Sequence, residues 1–201
     1  MKTSCTGSGG AVTSDGDVLA AMARGHATAF AAVVTRHHPA VSRLVWRMTG
    51  GHADTDDIVQ ETFVKLWRNP AQVRDGKALL GWLMRVASKG ASVRMRRRSH
   101  AALDAVPEPP DPATRADAGL VRKAAALRVD RLIAGLPERQ RLALSLVYFE
   151  GLTNIVAANV MQSSVEAVES LLARARRSLK EAMSGEWREL LDALGAGEDQ
   201  G

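Results

Sequence analysis

Residues 54–68 read DTDDIVQETFVKLWR and carry the clearest helical pattern in the chain. At about 100° per residue, one set of side chains falls on a single side of a helix and is predicted to face a core. These core candidates are Ile58, Val59, Thr62, Phe63, Leu66 and Trp67. Asp54 is placed to cap the helix, and Asp56 and Asp57 suit the positive end of its dipole. The segment therefore predicts an amphipathic α-helix.

The other side of this helix aligns Asp57, Gln60 and Glu61, followed by Val64 and Arg68. We call Asp57, Gln60 and Glu61 the acidic stripe and expect it to be exposed. A solvated helix face with good capping has the same pattern, so the stripe alone identifies no binding site. The nearby His52 and carboxylates lack the glycine that a calcium loop needs at its sharp turn, and we expect neither a metal nor a cofactor.

A second helix is predicted over residues 79–98, LLGWLMRVASKGASVRMRRR. Its buried stripe comprises Leu79, Leu83, Val86 and Val93, with Trp82 at the margin. Its opposite side is cationic: Arg85, Lys89, Ser92 and Arg96 form what we call the basic stripe, and Arg94, Arg97 and Arg98 are expected to widen it. A solvated surface helix normally intersperses carboxylates among its cations, and none occur here. Contact with a phosphate backbone is the favoured interpretation.

The interruption after this helix is rich in proline, with Pro107, Pro109, Pro110 and Pro112 inside six positions. Because proline stops helices, we place a flexible linker there. Helical periodicity on both sides predicts an all-α protein of two small helical domains. The predicted parts are a leader (1–14), a first domain (15–98), a linker (99–116), a second domain (117–184) and a tail (185–201).

The second domain contains a predicted helix-turn-helix. In LPERQRLALSLVYFEGLT, residues 136–153, Pro137 suits a first turn and Gly151 a C-terminal cap. The core candidates of this segment are Leu142, Leu146 and Phe149. Thr153 then caps a short helix ending at Met161, and Ser163 and Glu166 have the spacing of a capping box for the next one. The sequence therefore gives helix, turn, helix.

The last of these helices buries Val168, Leu171, Leu172, Ala175 and Leu179 and leaves a candidate recognition face. That face comprises Glu166, Ala167, Ser170, Ala173, Arg174 and Arg177. Short side chains allow close approach to a major groove, while Arg174 and Arg177 reach guanine edges or phosphates. We expect DNA contacts along this face, with Ser164 donating to a phosphate and Thr153 nearby.

Composition narrows the function classes further. The 201 residues include 27 Lys and Arg against 22 Asp and Glu, a net charge of +5 that favours a polyanionic partner. Aromatic residues make up only 4%, which disfavours the base-stacking sheets of RRM and OB-fold domains. The single cysteine, Cys5, excludes an internal disulfide. With neither an apolar leader nor a span of about 18 apolar residues, we expect a cytoplasmic protein without membrane insertion.

In this order, the segments resemble the extracytoplasmic-function (ECF) sigma factors of bacteria, within the sigma-70 family. DTDDIVQETFVKLW is similar to region 2.2, GWLMRVASKGASVRMRRR to region 2.4, and LPERQRLALSLVYFEGLT with SSVEAVESLLARARRSL to region 4. The resemblance implies that the acidic stripe binds the β′ clamp helices of core RNA polymerase. It also implies that the second domain sits on the β flap and reads the −35 element of promoter DNA.

The first domain would then open and read the −10 element. The resemblance implies that a loop at residues 73–78, which includes Arg74, Asp75 and Lys77, captures a flipped base. It further implies inhibition by an anti-sigma protein. The chain departs from the family at Lys89, where Asn is common, at Val93, where Asp is common, and at Leu171, where many members carry Arg; TNIVAANV also replaces a more acidic sequence.

Two other functions fit parts of the sequence. One is a conventional helix-turn-helix regulator whose first domain senses a ligand or dimerises. The other is an enzyme that uses His37 and His38 with the carboxylates near Asp57, but no nucleophile, phosphate loop or metal motif accompanies them. We expect both histidines to lie on the surface near a helix end before Pro39, and we expect no catalysis.

Overall fold

The structure is a computed structural model that describes residues 14–101 and 129–193. Its first helical unit contains α1 (Asp15–Ala23), α2 (Ala27–Thr49), α3 (Asp54–Arg68) and α4 (Leu79–Ala101), with two short 3-10 turns, Pro70–Gln72 and Gly76–Ala78, between α3 and α4. The second unit contains α5 (129–134), α6 (Glu138–Leu144), a π-helical turn (Ser145–Phe149), α7 (Asn154–Met161) and α8 (Val165–Ala193). The predicted all-α class with two helical units is confirmed. In the described ranges, no helix is both long enough and apolar enough to cross a membrane.

Several predicted boundaries fall at or outside the edges of these ranges. Helix α4 continues to Ala101, which is three residues into the predicted linker 99–116. The remainder of that linker, residues 1–13 of the leader and the tail beyond 193 lie outside the described residues. Helix α8 extends to Ala193, so the helical part of the chain reaches into the predicted tail.

Helix α3 follows its sequence pattern closely. Five of the six core candidates are buried: Ile58, Val59, Thr62, Phe63 and Leu66. Trp67 was expected in the core but is 42% exposed, because it lies at the edge of the buried arc, where its ring covers Phe30 at a centroid distance of 5.0 Å. The cap prediction was also wrong: Ala53 is the N-cap, no side chain caps it, and Asp54 is already the first helical residue.

Helix α2 runs through Pro39 without ending, so the expected helix end near the two histidines is absent. His38 is exposed, as expected, but His37 is buried at 7% exposure. Its Nε2 lies 3.0 Å from the Asp15 carboxylate of α1. The prediction of a surface position was wrong for His37 because α1, which the sequence pattern did not reveal, covers this face of α2.

In the second unit, the π-helical turn changes which side chains face the core. Leu146 is fully buried, as predicted, and Leu142 is partly buried. Phe149 was expected in the core but is 37% exposed. A π-helical turn holds more residues than an α-helical one, so residues after it rotate away from the α-helical stripe. Phe149 lies instead beneath the guanidinium of Arg47, with Cζ 3.8 Å from the ring centroid.

The two units pack against each other through one continuous apolar core. Residues of the second unit, including Leu146 and Ala157, belong to the same buried cluster as Leu44 and Leu83 of the first. Helix α7 lies directly over Gly81 of α4, where an added Cβ would be 3.7 Å from Val156 Cγ1 and 3.9 Å from Val160 Cγ2. The sequence predicted two tethered units and did not indicate this packing, which we call the closed arrangement.

Candidate nucleic-acid and protein interfaces

The acidic stripe lies on the outer side of α3, as predicted. The side chains of Asp57 and Glu61 are 66% and 54% exposed, and Gln60 is also exposed. Together with Val64, Lys65 and Arg68, these residues line an open groove along the helix. The groove is available to a partner and is acidic at its N-terminal end.

Arg94 of α4 reaches this stripe and not the basic one. Its guanidinium lies 3.2 Å from Asp54 Oδ1 and 2.9 Å from Glu61 Oε1, and Asp57 Oδ2 is 4.0 Å away. The expectation that Arg94 widens the basic stripe is therefore wrong. Arg94 is nine positions after Arg85. At about 100° per residue this is about 180° around α4, so the two arginines lie on opposite sides of the helix.

The basic stripe itself is largely solvent-facing. Arg85, Lys89 and Arg96 are exposed, while Ser92 is partly buried and donates a hydrogen bond to the carboxylate of Glu138 in the second unit. Arg97 and Arg98 are exposed as well, at about 120° and 140° to either side of Arg85. Three cations thus share one exposed side of α4, whereas Arg97 and Arg98 project well away from it.

The loop before α4 brings Arg74, Asp75 and Lys77 together on the surface. Asp75 Oδ1 accepts a hydrogen bond from the backbone N–H of Lys77 at 2.9 Å, which shapes the following 3-10 turn. All three residues line one open cavity, together with Arg85 of α4. Helix α7 of the second unit forms the remaining wall through Val156, Asn159 and Val160.

Helix α1 supports the loop from behind. A Cβ placed on Gly76 would lie 2.7 Å from Gly16 Cα and 2.8 Å from Asp15 C. Because these are backbone atoms, they cannot rotate away as a side chain can. Only glycine therefore allows α1 and the loop to approach so closely.

The predicted helix-turn-helix is formed by α7, a turn at 162–164 and α8. Thr153 caps α7 by accepting from the N–H of Val156 at 3.3 Å. The capping box for α8 was predicted one residue too early: the Ser164 side chain accepts from the N–H of Ala167 at 3.2 Å. Ser163 instead accepts from Arg139 Nη2 at 3.3 Å. Before this cap, Gln162 ends α7 in the left-handed region at φ 50°.

The candidate recognition face of α8 is exposed at Glu166, Ser170, Arg174 and Arg177, and Ala167 is partly exposed. Ser164 is also exposed at the start of the helix. Hydrogen bonds from its own backbone N–H and then from the Ser164 hydroxyl hold the pKa of Glu166 below its ordinary value of 4.5.

Comparison with protein families identifies both units. The model for Sigma-70 region 2 matches residues 33–101, and the model for Sigma-70 region 4 matches residues 126–179. Together they cover more than half of the chain, in the order that the sequence predicted. The chain belongs to the sigma-70 family.

Two related sigma factors indicate the branch of the family. This sigma factor is 29% identical to the RNA polymerase sigma-H factor of Pseudomonas aeruginosa over 193 residues, which is 87% of this chain and 96% of the relative. It is also 29% identical to the ECF RNA polymerase sigma factor SigM of Mycobacterium tuberculosis, with 83% of each chain covered. The protein is an ECF sigma factor by these likenesses. A solved structure of CnrH in complex with the cytosolic domain of CnrY matches with a TM-score of 0.66 and 26% identity, covering 85% of this chain and 97% of CnrH.

Sequence reasoning missed the polar contacts that join regions 2 and 4 of this sigma factor. Arg43 and Arg47 of α2 both bind Glu150, at 2.8 and 3.2 Å. Arg141 Nη1 donates to the carbonyl of Met48 at 2.9 Å. Burial holds the pKa of Arg141 below its ordinary value, and the negative charge of Glu138 opposes this effect only in part. Two like charges four residues apart on α2 were the available signal, since such a pair favours an anionic partner.

Proposed function

We propose that this protein is an alternative sigma factor that binds core RNA polymerase and directs it to promoters with particular −10 and −35 elements. One observation carries the proposal. Region 2 presents an acidic face and a separate basic face, and region 4 presents a helix-turn-helix. The protein acts by binding and performs no catalysis. It works in the cytoplasm, where polymerase and promoter DNA meet.

Polymerase binding is assigned to the acidic stripe. Asp57, Gln60 and Glu61 are exposed on a helix whose other side packs into the core from Thr55 to Leu66. Carboxylates on a preformed surface lose little side-chain freedom when they meet cationic partners. We propose the β′ clamp helices as that partner, with region 4 resting on the β flap.

Reading of the −10 element is assigned to the basic stripe and the adjacent loop. Arg85, Lys89 and Arg96 follow a single line that suits a phosphate backbone. The cavity bounded by Arg74, Asp75 and Lys77 can accept a flipped base, which offsets the cost of unstacking it. Arg97 and Arg98 add positive charge beyond the line.

Reading of the −35 element is assigned to α8. Ser170 and Ala167 are short enough to let the helix approach a major groove, and Arg174 and Arg177 extend from its exposed side. Thr153 and Ser164 lie at the starts of α7 and α8, where backbone N–H groups favour phosphate.

The closed arrangement is not compatible with reading both elements. The two elements lie about 25 base pairs apart, or about 85 Å at 3.4 Å per pair. Moreover, α7 forms one wall of the cavity proposed to accept the base, and the Ser92 hydroxyl donates its hydrogen bond to Glu138. We therefore propose that regions 2 and 4 separate on polymerase, and that an anti-sigma protein silences the factor by covering its polymerase-binding faces. CnrH, with a similar fold, was solved with the cytosolic domain of another protein bound.

Reconstituted transcription tests the function. Purified full-length protein is mixed with core RNA polymerase and a library of promoter templates, and the 5′ ends of the transcripts are mapped. We expect start sites that depend on the added protein and share a −10 and a −35 sequence. Sequence-specific DNA binding without core polymerase, together with no start-site-specific RNA in its presence, would favour the conventional regulator instead.

A further inference from the structure

Arg94 occupies an unexpected place for a cation of the region 2.4 helix. It lies about 180° around α4 from Arg85 and faces α3. Its side chain is 30% exposed, and its two terminal nitrogens bind different carboxylates, Asp54 at 3.2 Å and Glu61 at 2.9 Å. The basic stripe therefore gains nothing from this charge.

The geometry of the contact suits an arginine in particular. Asp54 and Glu61 are seven residues apart, so their carboxylates project two turns apart on the same side of α3. A planar guanidinium presents donors in several fixed directions and can bridge the two, whereas a single ammonium group is a point charge. Asp57, between them, lies at 4.0 Å.

We propose that Arg94 is a positioning residue for polymerase binding and not a DNA contact. It holds Glu61, and with it the charge of Asp57, in the conformation presented to the polymerase. Glu61 is still 54% exposed, so its carboxylate stays available while its side chain is already ordered. The loss of side-chain entropy on ordering Glu61 therefore takes place in the free protein and not on docking. This inference rests on the proposed role of the acidic stripe.

A matched pair of variants tests it in the full-length protein. Arg94→Met and Arg96→Met remove the same charge from opposite sides of the same helix. We expect Arg94→Met to weaken binding to core RNA polymerase by about threefold to tenfold in a fluorescence titration. The holoenzyme formed at saturating protein should keep the wild-type salt slope for promoter binding. Arg96→Met should keep core affinity and lower that slope by about one unit.

Two further measurements separate positioning from general stability. In a Glu61→Gln background, Arg94→Met should have little further effect on core affinity, because the group through which it acts is gone. If Arg94→Met lowers the thermal unfolding midpoint, Arg94→Lys replaces it; that variant keeps the charge without the bridge and should still bind core more weakly than wild type.

The outcomes distinguish this inference from the proposed function. Equal or tighter core binding by Arg94→Met, full additivity with Glu61→Gln, or a reduced salt slope in promoter binding would overturn the role of Arg94 while the wild type still bound core. Failure of the wild-type protein to bind core polymerase would overturn the proposed function itself.

Discussion

The carboxylate of Glu150 lies 3.2 Å from the guanidinium of Arg47, across the boundary between regions 2 and 4. Arg43 holds the second carboxylate oxygen at 2.8 Å, and the Glu150 side chain is only 1% exposed. A carboxylate this deeply buried needs cationic partners, because removal from water strongly disfavours an unpaired charge. Both partners come from α2. The contacts that neutralise this region 4 carboxylate therefore exist only while the two regions stay packed together.

Replacing this carboxylate should loosen the closed arrangement. We expect Glu150→Gln to reduce the stability of the packed form by about 2 kcal/mol, because a charge-assisted contact to two arginines becomes a neutral one. Small-angle X-ray scattering of the free protein should then show a larger radius of gyration. Glu181→Gln, on the exposed part of α8, is the matched control. An unchanged radius in both variants would show that the apolar contacts alone hold the units together.

Neutralising the acidic stripe should separate binding from folding. The variant Asp57→Asn with Glu61→Gln is preferable to charge reversal, because new lysines would lie beside Arg94. Loss of two carboxylates from a surface that faces a cationic partner should weaken core binding about tenfold or more. Thermal unfolding should change little, since both side chains are exposed. Undiminished co-purification with core polymerase would contradict the assignment.

For the candidate recognition face of α8, we expect an effect that depends on the −35 sequence. Arg174→Ala should weaken transcription from a template with an intact −35 element by an amount equivalent to about 1–3 kcal/mol. On a template with a randomised −35 element, the same variant should behave like wild type. Arg176 lies about 200° around the helix and donates to the Leu172 carbonyl, so Arg176→Ala serves as the control. Equal losses on both templates would point to stability rather than recognition.

The packing of α1 against the loop at residues 73–78 can be tested through glycine substitutions. Gly76→Ala should destabilise the protein by about 1–3 kcal/mol, since its Cβ would collide with the backbone at Gly16. Gly16→Ala is the counterpart: its Cβ would meet only Ser14 Oγ at 3.7 Å, so we expect no loss there. Denaturant unfolding curves measure both. Equal midpoints for the two variants would mean that α1 does not pack here in solution.

Helical periodicity predicted the parts of this molecule that depend on local sequence. The buried residues of α3, such as Ile58 and Leu66, and the order of helices in region 4 follow from spacing alone. The same spacing predicted that the acidic stripe and the three cations of the basic stripe are exposed, and their part in binding stays a prediction. The position of Arg94 could have been found too, because the same 100° arithmetic that groups Arg85 with Arg96 excludes it.

Features that depend on distant residues were not predictable. The burial of His37 requires α1, and the exposure of Phe149 requires a π-helical turn that no composition rule signals. The cap of α8 is Ser164 and not Ser163, and the preceding Gln162 takes a left-handed backbone conformation that is uncommon outside glycine and that residue spacing does not reveal. Glu150 reads in the sequence as an ordinary surface residue, and only its partners 103 and 107 residues away reveal its burial.

Helix α4 turns the basic stripe to solvent and Arg94 to the acidic stripe, with Arg85 and Arg94 half a revolution apart. If the basic stripe holds the phosphate backbone, as we propose, substitutions along it are expected to change how tightly every promoter is held without altering how well the factor competes with its rivals for a limited supply of polymerase. The output of the whole regulon would then be raised or lowered by a handful of changes on one surface while the cell's balance among sigma factors stayed as it was.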